Sequence, residues 1–108
     1  MLSGFRMTWL VVMFDLPVLT KPERKAATQF RLMLLDYGFE MSQFSVYMRY
    51  CYSSAQVETL CKRVEEALPD GGRVNILQFT DKQYERIISF HGAVRQPKNR
   101  NPSQFNLF

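Results

Sequence analysis

The stretch Trp9-Leu-Val-Val-Met-Phe-Asp-Leu-Pro17 constrains this chain more than any other. Six consecutive apolar residues, Trp9 to Phe14, run straight into a carboxylate and, two positions later, a proline. A short apolar run closed by a turn signal reads as a strand buried on both faces and central in its sheet. Asp15 stands at the end of that strand, and no other acid precedes Glu23. The scaffold would hold its backbone while the carboxylate reaches the surface.

Beyond the proline the pattern turns helical. Thr20 followed three residues later by Glu23 is a capping box, and Pro22 is tolerated in a first helical turn. Ala26, Ala27, Phe30, Met33, Leu34 and Tyr37 then recur at spacings near 3.6, and Gly38 suits the residue that ends the helix. From Phe39 to Tyr52 the period becomes two, which predicts two strands with a reversal near Ser42–Ser45. Ser53 with Gln56 opens a second helix, whose stripe is Val57, Leu60, Cys61, Val64 and Leu68, stopped by Pro69. After Asp70-Gly71-Gly72, residues Arg73 to Thr80 read as a fourth strand, and Asp81 to Glu85 as one helical turn capped by Thr80 or Asp81. Ile87, Ile88 and Phe90 predict a short fifth strand.

The order β-α-β-β-α-β is the ferredoxin-like plan, α+β with two helices on one face of an antiparallel sheet. With 108 residues the chain is read as one such domain over 1–91. Residues 92–108 are read as a basic linker and a terminal strand that packs on a sheet edge or a partner subunit. The helix-free sheet face would be left bare, and aromatics make up 14% of the chain, more than so small a core needs. Together these predict a homodimer with that face inside.

Composition narrows the function classes. An apolar fraction of 46% beside 22% charged residues excludes wholesale disorder. The net charge of +4, with a pI near 9.3, points to a polyanionic partner. Cys51 and Cys61 belong to no CxxC pair and read as reduced, buried small hydrophobes of a cytoplasmic protein. Nowhere do eighteen apolar residues run together, so no membrane span is expected, and Met1 to Met7 carries no secretory signal.

Asp15 has two readings. One is an Asx turn, the side chain bonding backbone two residues on. The other is a ligand for Mg²⁺, which takes hard oxygen donors and often only one or two protein carboxylates. One Asp per chain is inadequate, whereas two Asp15 side chains meeting across a dimer axis would suffice. Lys21, Arg24, Lys25 and Arg31, offset only by Glu23, form a basic cluster suited to phosphate backbones. His91 is the sole histidine and reads as a surface residue; Ser42 and Ser45 lack a neighbouring base. No glycine-rich phosphate loop and no RNA-recognition aromatic signature is present.

Val11-Val-Met-Phe-Asp15, the basic helix start Lys21-Pro-Glu-Arg-Lys25, Tyr37-Gly38, Met41-Ser-Gln-Phe-Ser-Val-Tyr47 and Thr80-Asp-Lys-Gln-Tyr-Glu-Arg-Ile-Ile88 together resemble the CRISPR-associated Cas-two family. That family is the small subunit of the spacer-acquisition complex, and the likeness runs through nearly the whole chain in order. It implies a ferredoxin-like homodimer whose C-terminal strand reaches the partner's sheet. It implies that Asp15 matches the strand-end aspartate paired across the dimer near a divalent metal, and that Phe14 stands where many members carry Tyr. Some members are described as metal-dependent endonucleases acting on RNA or double-stranded DNA. In spacer acquisition the dimer is mainly a bridge that binds the prespacer duplex between two Cas-one integrase dimers. Lys21, Arg24, Lys25 and Arg31 fall in the region that would bind its phosphates. Two readings follow, a non-catalytic DNA-binding assembly subunit and a Mg²⁺-dependent phosphodiesterase. A toxin-type endoribonuclease of similar fold, without an integrase partner, is the alternative. Leu16 to Thr20 would serve as a hinge if the two Asp15 carboxylates approach and separate.

Overall fold

In the computed structural model, which describes residues 7–92, the chain runs β1 (Thr8–Asp15), α1 (Lys21–Asp36), β2 (Glu40–Gln43), β3 (Val46–Cys51), α2 (Ser54–Glu66), β4 (Arg73–Thr80) and α3 (Asp81–Glu85). The four strands form one antiparallel sheet in the order β2-β3-β1-β4. This is the expected ferredoxin-like arrangement. The apolar run of β1 is indeed interior to the sheet, hydrogen-bonded to β3 on one side and β4 on the other.

Alternation along β1 divides its side chains between two faces. Leu10, Val12 and Phe14 point to the helices, where they meet Phe30 and Leu34 of α1 and Val57, Leu60 and Val64 of α2. Tyr47 and Cys51 join from β3. Phe14 fixes the junction with α1 by an edge-on contact to Phe30 at 5.1 Å and a stack on Tyr47 at 5.7 Å. Trp9, Val11 and Met13 point to the opposite face, beside Met48 of β3 and Leu77 and Phe79 of β4. The expectation of burial on both faces therefore holds fully only on the helix side. Val11 is buried, but Met13 is 42% exposed, because no element among the described residues covers the end of the helix-free face.

The helix boundaries follow local chemistry. The Thr20 hydroxyl accepts from the Glu23 amide at 3.2 Å, and the Glu23 carboxylate accepts from the Thr20 amide at 2.9 Å, the reciprocal capping box read from the sequence. At the other end Gly38 takes φ +85°, closed by Phe39 N–H to Leu34 at 3.0 Å. Tyr37 is the C-cap of α1 and half-exposed rather than part of the core stripe. The Ser53 hydroxyl caps α2, but Gln56 reaches one residue further back than a capping box requires, accepting from the Tyr52 amide. Helix α2 stops at Glu66, ahead of Pro69, so Leu68 lies beyond its end and is exposed.

The reversal between β2 and β3 lies where the change of period put it, with Phe44 and Ser45 as the turn. It has no glycine, and Ser45 takes the left-handed position at φ 63°. The fifth strand does not form within this chain. Residues 87–90 have no strand partner, and Ile88 and Phe90 are 79% and 89% exposed. A strand exists only by pairing, and among the described residues nothing faces this segment to complete a ladder. The terminal strand and basic linker expected over 92–108 lie, Gly92 apart, outside the described residues.

Helix α3 is tied down at the far end of the sheet from Asp15. The Tyr50 hydroxyl donates to the Asp81 carboxylate at 2.6 Å, and the Tyr84 ring stacks on Trp9 at 4.6 Å. The bond to Asp81, then partial burial, then the Asp81 charge raise the Tyr50 pKa from the ordinary 10.0 to about 12. A group raised on folding stabilises fully below its unfolded value and loses that contribution as pH climbs through its folded one. The Tyr50 contribution should thus be intact at neutral pH and fall away between about 10 and 12. In an ultraviolet titration, Tyr50→Phe should remove an ionisation step near pH 12. Leu34→Ala, which empties a site with 0% exposure, should lower the unfolding free energy in urea. The expected loss is about 3 kcal/mol.

Candidate metal and nucleic-acid site at the end of the central strand

Asp15 is the last residue of β1, and its side chain shares the helix-free face with Met13. Its backbone is held from two directions. On one side the ladder pairs it with Arg73, the first residue of β4. On the other, the Phe14 amide donates to the Ser45 carbonyl at 3.0 Å. The Asp70-Gly71-Gly72 turn presses on the same point. A Cβ at Gly72 would lie 2.6 Å from the Asp15 carbonyl oxygen and 2.9 Å from Leu16 Cδ2, and φ there is +78°. Only glycine fits a left-handed position with that little room.

The carboxylate itself is exposed and free. It takes part in no ion pair or hydrogen bond among the described residues, which disposes of the Asx turn. Around it lies a cleft of about 290 Å³ lined by Met13, Phe44, Ser45, Arg73 and Asn75. Arg73, Asn75 and Phe44 were not legible as site residues. Arg73 becomes visible only when β4 is known to neighbour β1 in a register that places it opposite Asp15.

The four basic residues of the cluster are all exposed on α1, but they do not act alike. Arg24 Nη1 donates to the Val18 and Leu19 carbonyls at 3.2 and 3.0 Å, fastening the β1–α1 connection that was read as a hinge. Arg24 and Arg31 line a second groove, of about 330 Å³, between α1 and the β2–β3 turn. Lys21 and Lys25 do not line it. Phe44 borders both this groove and the Asp15 cleft.

Other candidates fall away. His91 is exposed and does not line the Asp15 cleft. Ser42 donates to the Val46 carbonyl at 3.5 Å, and Ser45 serves the turn. Burial pushes both cysteine thiols above their ordinary pKa, and both are free; Cys51 is buried as expected, whereas Cys61 is only partly so. No described helix is long and apolar enough to cross a membrane.

The family model for "CRISPR associated protein Cas2" matches residues 7–87. The chain belongs to the Cas2 family. The match takes in β1, with Asp15 at its end, and every other element described above. A Paracidovorax avenae protein described as "CRISPR-associated endoribonuclease Cas2" is 69% identical over 108 residues, all of both chains. One from Flavobacterium psychrophilum with the same description is 41% identical over 99% of this chain and 93% of its own. Among solved structures, Streptococcus pyogenes Cas2 at pH 6.5 superposes with a TM-score of 0.60, at 19% identity, over 78% of this chain and 99% of that one. A second Cas2 crystal structure gives 0.57 at 19% identity, over 88% and 95%. The ferredoxin-like fold is thus that of the Cas2 structures.

For a divalent cation the cleft offers a single carboxylate. Asp15 offers a hard anionic oxygen, and Ser45 and Asn75 offer neutral ones in the same cleft. No group of three or more His, Cys, Asp or Glu side chains able to hold a metal occurs among the described residues. Arg73 opposes a cation at the β4 side. A Cas2 chain of this geometry fits Mg²⁺ only if a further carboxylate comes from outside it.

The contact at Gly72 makes a prediction. Gly71→Ala and Gly72→Ala should each cost about 1 kcal/mol for a left-handed alanine. Gly72→Ala should cost more, since its Cβ meets the Asp15 carbonyl, whereas that of Gly71 has only Pro17 Cγ at 3.6 Å. Urea unfolding would rank them, and only Gly72→Ala should shift the amide resonances of Asp15 and Leu16.

Proposed function

We propose that this Cas2 chain acts as a homodimer that binds double-stranded prespacer DNA and bridges two Cas-one integrase dimers in spacer acquisition. We further propose that it carries a Mg²⁺-dependent phosphodiesterase site built from Asp15 of both copies. One observation supports the reading most. Asp15 lies on the same face as the apolar surface of Val11, Met13, Met48, Leu77 and Phe79, which no element among the described residues fully covers. A two-fold association through that face buries the apolar side chains and brings two strand ends, each with one carboxylate, to a common region. Neither chain alone has the carboxylates; two copies do.

Each residue then has a task. Asp15 contributes a hard oxygen ligand from a backbone that the sheet and Gly72 immobilise. When bound, Mg²⁺ would activate water and neutralise charge on the attacked phosphate. Arg73 places a guanidinium beside it for a phosphate oxygen. The exposed α1 cations hold phosphates at a distance from that centre and set affinity without reading sequence. The description of close relatives as endoribonucleases favours RNA as a substrate for any cleavage.

The test separates binding from cleavage. Asp15→Ala should abolish divalent-dependent cleavage of RNA or duplex DNA while leaving a dimeric mass by light scattering and unchanged spacer acquisition. Because Arg24 also fastens the β1–α1 connection, Lys25→Glu with Arg31→Glu is the cleaner charge reversal. It should weaken duplex binding and reduce the slope of log affinity against log salt by about 2, while acquisition falls. A monomeric mass at micromolar concentration would remove the shared site. Failure to co-purify with an integrase would favour the toxin-type endoribonuclease instead.

A further inference from the structure

Phe44 is the most exposed aromatic ring among the described residues, at 91%. Its position is built. The turn that displays it places Ser45 at φ 63°, a conformation that costs a residue with a Cβ about 1 kcal/mol or more. The Ser45 carbonyl is pinned by the Phe14 amide at 3.0 Å, and the Ser42 hydroxyl bonds across the hairpin to the Val46 carbonyl. The β2–β3 register shifts between Met41 and Gln43, where the strand leads into the turn. Strain held in place by two hydrogen bonds, for a ring that contacts little, points to function at that ring.

The surroundings say what it would contact. Phe44 forms the ridge between the Asp15 cleft and the α1 groove. Arg73 lies across the first and Arg31 across the second, and both are exposed. Neither guanidinium has an ion-pair partner among the described residues. An exposed aromatic ring with a free cation on either side matches one ligand chemistry, a nucleotide whose base stacks on the ring while flanking phosphates meet the cations. A paired base inside a duplex has no open face to offer, so the ligand is unpaired.

We propose that Phe44 is a base-stacking residue that captures an unpaired nucleotide next to Asp15, with Arg31 and Arg73 holding the phosphates on either side. This rests on the nucleic-acid reading above and adds a preference for single-stranded or tailed substrate. A ring at this position makes the strand lying on it adjacent to the carboxylate, which duplex binding to α1 alone does not.

The test compares a blunt DNA duplex with the same duplex carrying a single-stranded tail that contains 2-aminopurine. The full chain should bind the tailed duplex more tightly and quench the 2-aminopurine. Phe44→Ala should weaken tailed binding about tenfold, abolish the quench and leave blunt binding unchanged. Phe44→Trp should restore both, and Phe44→Leu, apolar without a π face, should restore neither. Equal loss on both duplexes, no loss on either, or full rescue by leucine would overturn the proposal. So would a fall in dimer mass for Phe44→Ala, which would assign the ring to a second copy of the chain. If the unaltered protein binds neither duplex, the nucleic-acid reading itself fails; if it binds both alike, only the role of Phe44 does.

Discussion

The double pairing of β1 is the constraint from which the rest of this structure follows. A strand hydrogen-bonded on both sides cannot slip by one residue without sending Leu10 and Val12 to the wrong face. That register fixes everything at its end. Asp15 is set opposite Arg73, the Phe14 amide finds Ser45, and the Gly72 backbone lies where a methyl group would not fit. The site is the terminus of a ladder, and its precision is that of the ladder.

The two faces of β1 carry different obligations. The helix side has a complete set of partners, and Phe14 closes it against Phe30 and Tyr47. The other side has apolar side chains and an exposed Met13 but only partial cover. Such a face leaves apolar side chains open to water, and a second copy of the chain is one way to cover them. Asp15 belongs to that face, so whatever covers its apolar side chains also lies beside the strand-end carboxylate.

Much of this was legible in the sequence. The apolar run to the strand end, the Thr20–Glu23 capping box, the switch to period two after Gly38 and the one-turn helix capped by Thr80 all appear as read. These are signals carried by neighbours within a few residues. The fifth strand at Ile87–Phe90 failed because alternation records a readiness to pair and cannot supply the partner. The site was legible in part, for a similar reason. Asp15 and the basic helix stand out along the chain, whereas Arg73 and Asn75 join Asp15 through a pairing that spans more than half of it. Arg24 looked like its neighbours in the sequence, yet two carbonyls claim its guanidinium. Phe44 fell within the expected reversal near Ser42–Ser45 with nothing to single it out, and the left-handed Ser45 beside it gives its exposure a cause.

The order of the strands also bears on how the molecule comes into being. β1 is made first, yet one of its two neighbours, β4, begins at Arg73. During synthesis the most apolar segment must wait, paired at best with β3, while the intervening helix is produced. In that interval its second edge is open and it carries the composition that nucleates cross-β association. The last ladder to close, β1 with β4, is the one that brings Arg73 and Gly72 to Asp15. A nascent or partly folded chain therefore has its strand-end carboxylate without the cleft around it, and completion of the sheet is what assembles that cleft.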